Sequence, residues 1–265
     1  MSILNAEQRR QFQDEGYLVL DPGIPERLLD EAVTDLDPLY ERTINDVGHV
    51  EPCRIQDGWK ISAACHHIAV WPAIMEALRE LYGRGPRPFQ TLNFPVGTIQ
   101  KAHSDAVHFN SCPPGFMSGV WVALEDTDGL NGAVDYYPGS HLLPDFDMSD
   151  AGAEPKEEQY ARYEEFIANA IEHFGLERRT ASLEKGQALV WASGLIHAGG
   201  DREDPFRTRH SQVTHVYYEG CRYYTPMMSK GLDVLWREPG FLPLEVDESA
   251  KPKRRKKATN LIFRR

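Results

Sequence analysis

Two short clusters, far apart in the chain, carry residues that could serve one metal. His103 and Asp105 stand two apart in QTLNFPVGTIQKAHSDAVHF, residues 90 to 109. The stretch reads as extended, and on a strand residues i and i+2 project from the same face. An imidazole and a carboxylate would then leave one surface together. Ninety-four residues later comes His197, in ALVWASGLIHAGG, followed by Arg209 and Ser211 in FRTRHSQVTHVYY. Two histidines and one carboxylate are the ligand set of non-haem Fe(II) sites that keep coordination positions open. Arg209 and Ser211 flank His210 and share a face. A planar guanidinium fork and a hydroxyl suit a carboxylate, so the pair could anchor a dicarboxylate co-substrate. Arg207 points the same way and is the rival anchor.

Each piece alone has a bland reading. In a chain with ten histidines and 40 acids, short His/Asp spacings arise by chance, and such residues mostly stay at the surface. Context raises the odds, because apolar strand texture flanks the pair and a tight glycine-rich segment supplies His197. Gln100 lies three before His103 and is evenly balanced between lining a co-substrate pocket and ordinary strand packing; Thr98 reads as structural. Asn93 could point into a barrel. His108 and Asn110 sit at odd offsets from Asp105, away from the ligands unless the chain turns; with a turn, His108 could meet substrate. Tyr136 could shape a pocket mouth, although aromatic strand residues usually pack. His141 is not needed as a ligand. Cys65, His66 and His67 are adjacent, would alternate sides on a strand, and are discounted as one site.

The elements that would position these residues follow from periodicity. AEQRRQFQDEG reads as a helix with Asn5 as N-cap and Gly16 as its stop, running into the strand YLVL. IPERLLDEAVTDLDPLYER and WPAIMEALRELYG read as helices, the second ended by Gly83. Residues 43 to 66 read as irregular. From about residue 88, FQTLNF, GTIQKAHSDAVHF, FMSGVWVALED and AVDYYPGSH are short extended runs, with a turn at Pro138 and Gly139. Residues 155 to 177 carry Tyr160, Tyr163, Phe166, Ile167, Ala170, Ile171 and Phe174 at helical spacing. Strand texture returns in RTASLEKGQALVWAS and TRHSQVTHVYYEG. The expectation is one mainly β domain over residues 1 to 250, a sandwich or jelly roll, with N-terminal helices and a helical insertion near 155–177.

Composition narrows the function classes. The net charge is −11, yet eight of the 29 basic residues and none of the acids lie in 251–265, KPKRRKKATNLIFRR. The body is therefore strongly acidic, which does not favour nucleic acid as a partner. The tail reads as a solvated terminus; docking on the acidic body or contact with an anionic surface rank behind it. No apolar run is long enough to span a bilayer, and the first residues lack a secretory pattern. Four scattered cysteines (Cys53, Cys65, Cys112 and Cys221) form no C-x-x-C pair, so a reducing, cytoplasmic setting is expected. Monomer and homodimer are both compatible.

QDEGYLVL, HSD, GVWVALED, NGAVDYYPGSH, EKGQALVW, GLIHAGG and RHS occur in this order and span most of residues 8 to 219. The set resembles the phytanoyl-CoA dioxygenase family of Fe(II)- and 2-oxoglutarate-dependent oxygenases. The resemblance implies a double-stranded β-helix (jelly roll, cupin-like), His103, Asp105 and His197 on iron, and Arg209 on the far carboxylate of 2-oxoglutarate. Trp121 falls where the family often has a tryptophan beside the co-substrate. The implied reaction consumes Fe(II)-bound O2 and 2-oxoglutarate, releases succinate and CO2, and hydroxylates a C–H of a small molecule. Family halogenases replace the carboxylate ligand by a small residue, so Asp105 favours hydroxylation over halogenation. Desaturation or epimerisation at the same iron, or a metal-binding cupin-like protein without oxygenase activity, are the competing readings. An acidic body disfavours a polyanionic CoA ester unless a cation such as Lys101 stands at the mouth. A smaller neutral or amine-bearing substrate is expected.

Overall fold

The computed structural model describes residues 2–40, 42–44, 50–52 and 54–246. The basic tail expected at 251–265 lies outside the described residues. The helices are α1 (Ala6–Glu15), α2 (Glu26–Leu36), α3 (Ala63–Ala69), α4 (Pro72–Tyr82) and α5 (Tyr160–His173). The strands are β1 (Tyr17–Leu20), β2 (Arg42–Ile44), β3 (Val50–Pro52), β4 (Ile55–Gln56), β5 (Pro86–Phe94), β6 (Asn110–Cys112), β7 (Met117–Ala123), β8 (Val134–Tyr136), β9 (Arg179–Thr180), β10 (Ala188–Ala192), β11 (His197–Gly199), β12 (Ser211–Tyr218), β13 (Arg222–Tyr224) and β14 (Trp236–Arg237).

α1 begins where the sequence predicts. The Asn5 side chain accepts from the Gln8 amide and the Gln8 side chain answers to the Asn5 amide, satisfying two N-terminal donors at once. Gly16 ends the helix at φ 79, a conformation that suits a residue without Cβ. α4 opens on Pro72 and stops at Gly83, φ 64, again as expected. The expected helix at residues 24–42 ends at Leu36, and a 3-10 turn at Asp37–Leu39 replaces its last part, because Pro38 cannot donate to the helical ladder. The stretch read as irregular holds β4 and α3, so Cys65, His66 and His67 are helical rather than extended.

A six-stranded antiparallel sheet, β1-β10-β7-β12-β5-β4, forms one wall, and β11-β8-β9 forms a second. Together they make the jelly roll. Alternation along the strands sorts the large sheet into two faces. Val120, Val122, Ala188, Val190, Val216 and Tyr218 pack outward against α2, α3 and α4 through Leu29, Leu36, Ile68, Ile74 and Leu78. Trp121, Ala123, Leu189, Trp191, Val213 and Phe94 face the second sheet with Val134 and Tyr136. Each fully buried Leu or Ile of the outer layer contributes ~1.5–3 kcal/mol, so the helices brace the sheet that carries the site. α5 seats Tyr163 and Ile167 on Val107, Met148 and Ile196, just behind the loop that holds His103 and Asp105.

Candidate active site

The expected strand over residues 97–109 is absent. His103 makes only an isolated antiparallel bridge with His197, through His103 N to His197 O at 3.0 Å and His197 N to His103 O at 2.9 Å. Ser104 is still extended, and the chain then enters a 3-10 turn at Asp105–Val107. The turn, not a shared strand face, brings Asp105 beside His103. Backbone bonds hold it there, with Ala106 N on Ser193 O at 3.0 Å, and Ser104 N reaching the Tyr163 hydroxyl of α5 at 3.4 Å.

His103, Asp105 and His197 present one ligand atom each, all within 4.8 Å of one another, and all three residues are buried. Asp105 Oδ1 lies 3.9 Å from His197 Nε2. Each imidazole is oriented by the carbonyl two residues before it: His103 Nδ1 meets Lys101 O at 2.9 Å, and His197 Nδ1 meets Leu195 O at 3.0 Å. Carbonyls accept only, so Nδ1 carries the proton and Nε2 keeps its lone pair for a metal. Burial pushes His103 down to about 3 and favours its neutral form. Burial alone would raise the Asp105 carboxyl, but His197, His215 and His103, with the Trp191 hydrogen bond, outweigh it and hold the group below its ordinary range. A neutral imidazole and an ionised carboxylate are the forms that bind a divalent ion.

These side chains open into a cavity of about 350 Å³. At one end Arg209, 2% exposed, gives its Nη1 proton to Ser211 Oγ at 2.6 Å, and its guanidinium lies 5.4 Å from the Trp121 ring and 5.6 Å from the Phe94 ring. Burial lowers its pKa to about 10, which leaves it cationic. Arg209 Nε and Trp121 Nε1 are buried donors with no hydrogen-bond partner among the described residues. Both side chains line the cavity, so the donor set fits an acceptor-rich dianion such as 2-oxoglutarate. Gln100 also lines the cavity, and its Nε2 lies 3.1 Å from His103 Nε2, on the lone pair that a metal would take over.

Arg207, the rival anchor, is half-exposed and spends its Nη1 on both carboxylate oxygens of Asp128 at 2.9 Å, outside the cavity. Asn93 does not reach the site. It points to the helix layer, where its Nδ2 meets Gln212 Oε1 at 3.0 Å, while Gln90, Leu92 and Phe94 take the cavity face of β5. Tyr136 also turns away and packs on Tyr17 with centroids 4.6 Å apart. Lys101 reaches Glu164 at 3.3 Å instead of the mouth. His66 bonds Pro243 O and His141 bonds Gln13 O, both away from the triad. Thr98, read as structural, lines the cavity, and so does His108, whose Nε2 lies 3.1 Å from the Tyr160 hydroxyl.

Sequence reasoning missed His215, Trp191 and Tyr160. His215 is buried on the cavity floor, its Nε2 3.7 Å from Asp105 Oδ2 and its Nδ1 2.9 Å from Gln90 Oε1. Its signal was available: it has the parity of Arg209 and Ser211, six and four residues earlier. Trp191 gives its Nε1 proton to Asp105 Oδ2 at 2.7 Å. Nothing local in QALVW announced that contact.

The family model described as phytanoyl-CoA dioxygenase matches residues 12–210. A probable phytanoyl-CoA dioxygenase of Caenorhabditis elegans is 22% identical over 261 residues, covering 84% of this chain and 78% of that protein. Among solved structures, the epimerase SnoN in complex with Fe3+, alpha ketoglutarate and nogalamycin RO has a TM-score of 0.65 at 21% identity, over 89% of this chain and 94% of SnoN. EctD from S. alaskensis with 2-oxoglutarate and 5-hydroxyectoine has a TM-score of 0.65 at 18% identity, over 94% and 86%. At such identities these structures speak for the fold, and the family model speaks for descent. This chain belongs to the phytanoyl-CoA dioxygenase family of Fe(II)- and 2-oxoglutarate-dependent oxygenases.

Proposed function

We propose that the chain hydroxylates a C–H of a small polar molecule, with His103, Asp105 and His197 on Fe(II) and Arg209, Ser211, Trp121 and Gln100 around 2-oxoglutarate. The observation that carries the reading is one cavity lined both by the buried ligand set and by a buried arginine. When bound, Fe(II) supplies the activation of O2 that is coupled to conversion of 2-oxoglutarate to succinate and CO2 and to oxidation of the C–H. The chain's own part is placement. Arg209 and Ser211 fix the remote carboxylate, Phe94, Val134 and Val213 keep water from that end, and the two backbone carbonyls aim both imidazoles.

Substrate has the other end. Arg54, Gln56, Gln90, His108, Tyr160 and His215 line it, with Phe109 and Met227 as its apolar members. Six of these side chains carry hydrogen-bonding groups beside the apolar Phe109 and Met227, which supports a compact substrate that bears both polar groups and some apolar surface. Arg54 and Glu157 at the rim offer both signs of charge. No helix among the described residues is long and apolar enough to cross a membrane.

Anaerobic addition of Fe(II) and 2-oxoglutarate should give a weak visible charge-transfer band that disappears in His197→Ala. Its absence from the intact protein sinks the proposal. With the band in hand, succinate release against a panel of small polar metabolites finds the substrate, and product analysis separates hydroxylation from desaturation or epimerisation.

A further inference from the structure

Trp191, Gly119 and His215 stand side by side on three neighbouring strands, as Cα partners across β10, β7 and β12. A Cβ built on Gly119 would collide with the six-membered ring of Trp191 and lie 2.5 Å from its Nε1. The indole therefore lies over β7 in the space a side chain would fill. Glycine weakens a strand interior and often marks a close approach; here the close approach is the indole. Seated there, Trp191 is 2% exposed and sends its Nε1 proton to Asp105 Oδ2 at 2.7 Å. From the other side of Gly119, His215 Nε2 stands 3.7 Å from the same oxygen. Oδ1 is the oxygen left facing His197 Nε2.

We propose that Trp191 is a positioning residue that makes Asp105 a one-oxygen ligand, and that Gly119 is its seat. The inference rests on the iron and 2-oxoglutarate reading above. An indole N–H can only donate, and its bond to an ionised carboxylate in a buried place is charge-assisted. Turning Oδ2 to a metal would break that bond and leave the buried indole N–H without its acceptor. A carboxylate that spends one oxygen leaves one more coordination position than a carboxylate that spends two. A co-substrate that chelates through its 2-oxo and adjacent carboxylate groups needs two such positions, besides one for O2.

Trp191→Phe removes the N–H and keeps an aromatic ring. Gly119→Ala keeps the N–H and every ligand but evicts the indole. In anaerobic titrations of the Fe(II)-loaded protein with 2-oxoglutarate, both variants should raise the midpoint of the charge-transfer band about 10- to 100-fold and move its maximum. Melting should stay within a few degrees of wild type for Trp191→Phe. A wild-type midpoint and band maximum in Trp191→Phe overturn the proposal. Failure of wild type to give any band defeats the iron reading instead, so the two failures are distinguishable. If both variants misfold, the wild-type protein carrying Zn(II) decides: the Trp191 indole proton must stay protected from exchange after the metal is added, and rapid exchange overturns the proposal.

Discussion

Arg209 is a buried cation waiting for an anion, and that makes its removal behave in an unusual way. It is 2% exposed, and among the described residues its side-chain hydrogen bond is to Ser211. Burial lowers its pKa from 12.5 to about 10 against the opposing pull of Glu125. At 1.36 kcal/mol per unit, holding the charge inside costs about 3 kcal/mol in the ligand-free protein. Replacing a buried ion by an apolar side chain of similar length is often neutral or stabilising. Arg209→Met should therefore melt at or above the wild-type temperature without 2-oxoglutarate. The ligand reverses the order. At a concentration a hundred times Kd, with metal present, wild type gains ~2.7 kcal/mol, or roughly 5–10 °C at ~2–4 °C per kcal/mol. Loss of a buried charged hydrogen-bond partner costs ~2–5 kcal/mol of binding, so at that concentration Arg209→Met should keep at most ~1 kcal/mol of the gain, roughly a third of the wild-type shift or less. Arg207→Met is the control. Its exposed pair with Asp128 is worth at most ~1 kcal/mol, and it should keep the full shift. Differential scanning fluorimetry with and without 2-oxoglutarate reads all three proteins. A wild-type shift in Arg209→Met, or a lost shift in Arg207→Met, refutes the assignment of the anchor. A ligand-free melting temperature many degrees below wild type refutes the claim that Arg209 is held at a cost.

Three further outcomes follow from packing and burial. Gly199→Ala would drive a Cβ into the Thr98 carbonyl, forcing β11 away from the loop that carries Gln100 and His103; urea unfolding should show a loss of about 1–3 kcal/mol or more, and metal titration a weaker site. Burial pushes the Cys65 thiol up to about 12 from 9, so stability it contributes is complete below pH 9 and is lost as pH rises toward 12; denaturation from pH 8 to 11 should fall less steeply in Cys65→Ala, and an equal slope defeats the assignment. Tyr160→Phe removes the hydroxyl beside His108 Nε2, and steady-state kinetics should show a higher KM for the substrate with the KM for 2-oxoglutarate unchanged.

Sequence periodicity reached the frame and the first ring of the site, and it failed where two elements meet. Helix caps at Asn5, Gly16 and Gly83 are local chemistry and are found where local chemistry puts them. The ordered motifs carried His103, Asp105, His197 and Arg209. Asn93 went astray because a strand's two faces were not told apart; Tyr136 shares the inner face of Val134 but packs on Tyr17, beyond the cavity. Ser211, Val213 and His215 share one parity on β12, Arg209 precedes them at the same spacing, and the partner strand β5 has Leu92 and Phe94 on the same face. Applied strictly to the amino-acid sequence, that alternation excludes Asn93 and adds His215. It could not have found Trp191, because the bond to Asp105 joins residues 86 apart and depends on a missing side chain on the neighbouring strand.

The same contrast explains why the metal ligands and the substrate wall differ in what the sequence can say about them. His103 and His197 are paired backbone to backbone, and each imidazole is aimed by a carbonyl two residues away. Their geometry is therefore written in short segments, and short segments are what a motif records. The proposed substrate wall is assembled from Arg54 and Gln56 at β4, Gln90 on β5, His108 after the turn, Tyr160 on α5 and His215 on β12. Beyond the pair at β4, no two of these come from the same segment. Exchanging Tyr160 or Arg54 would leave every ligand and every carbonyl that aims it in place. A wall built this way can change its substrate without disturbing the iron site, so chains that share the ligand motif are free to oxidise different molecules.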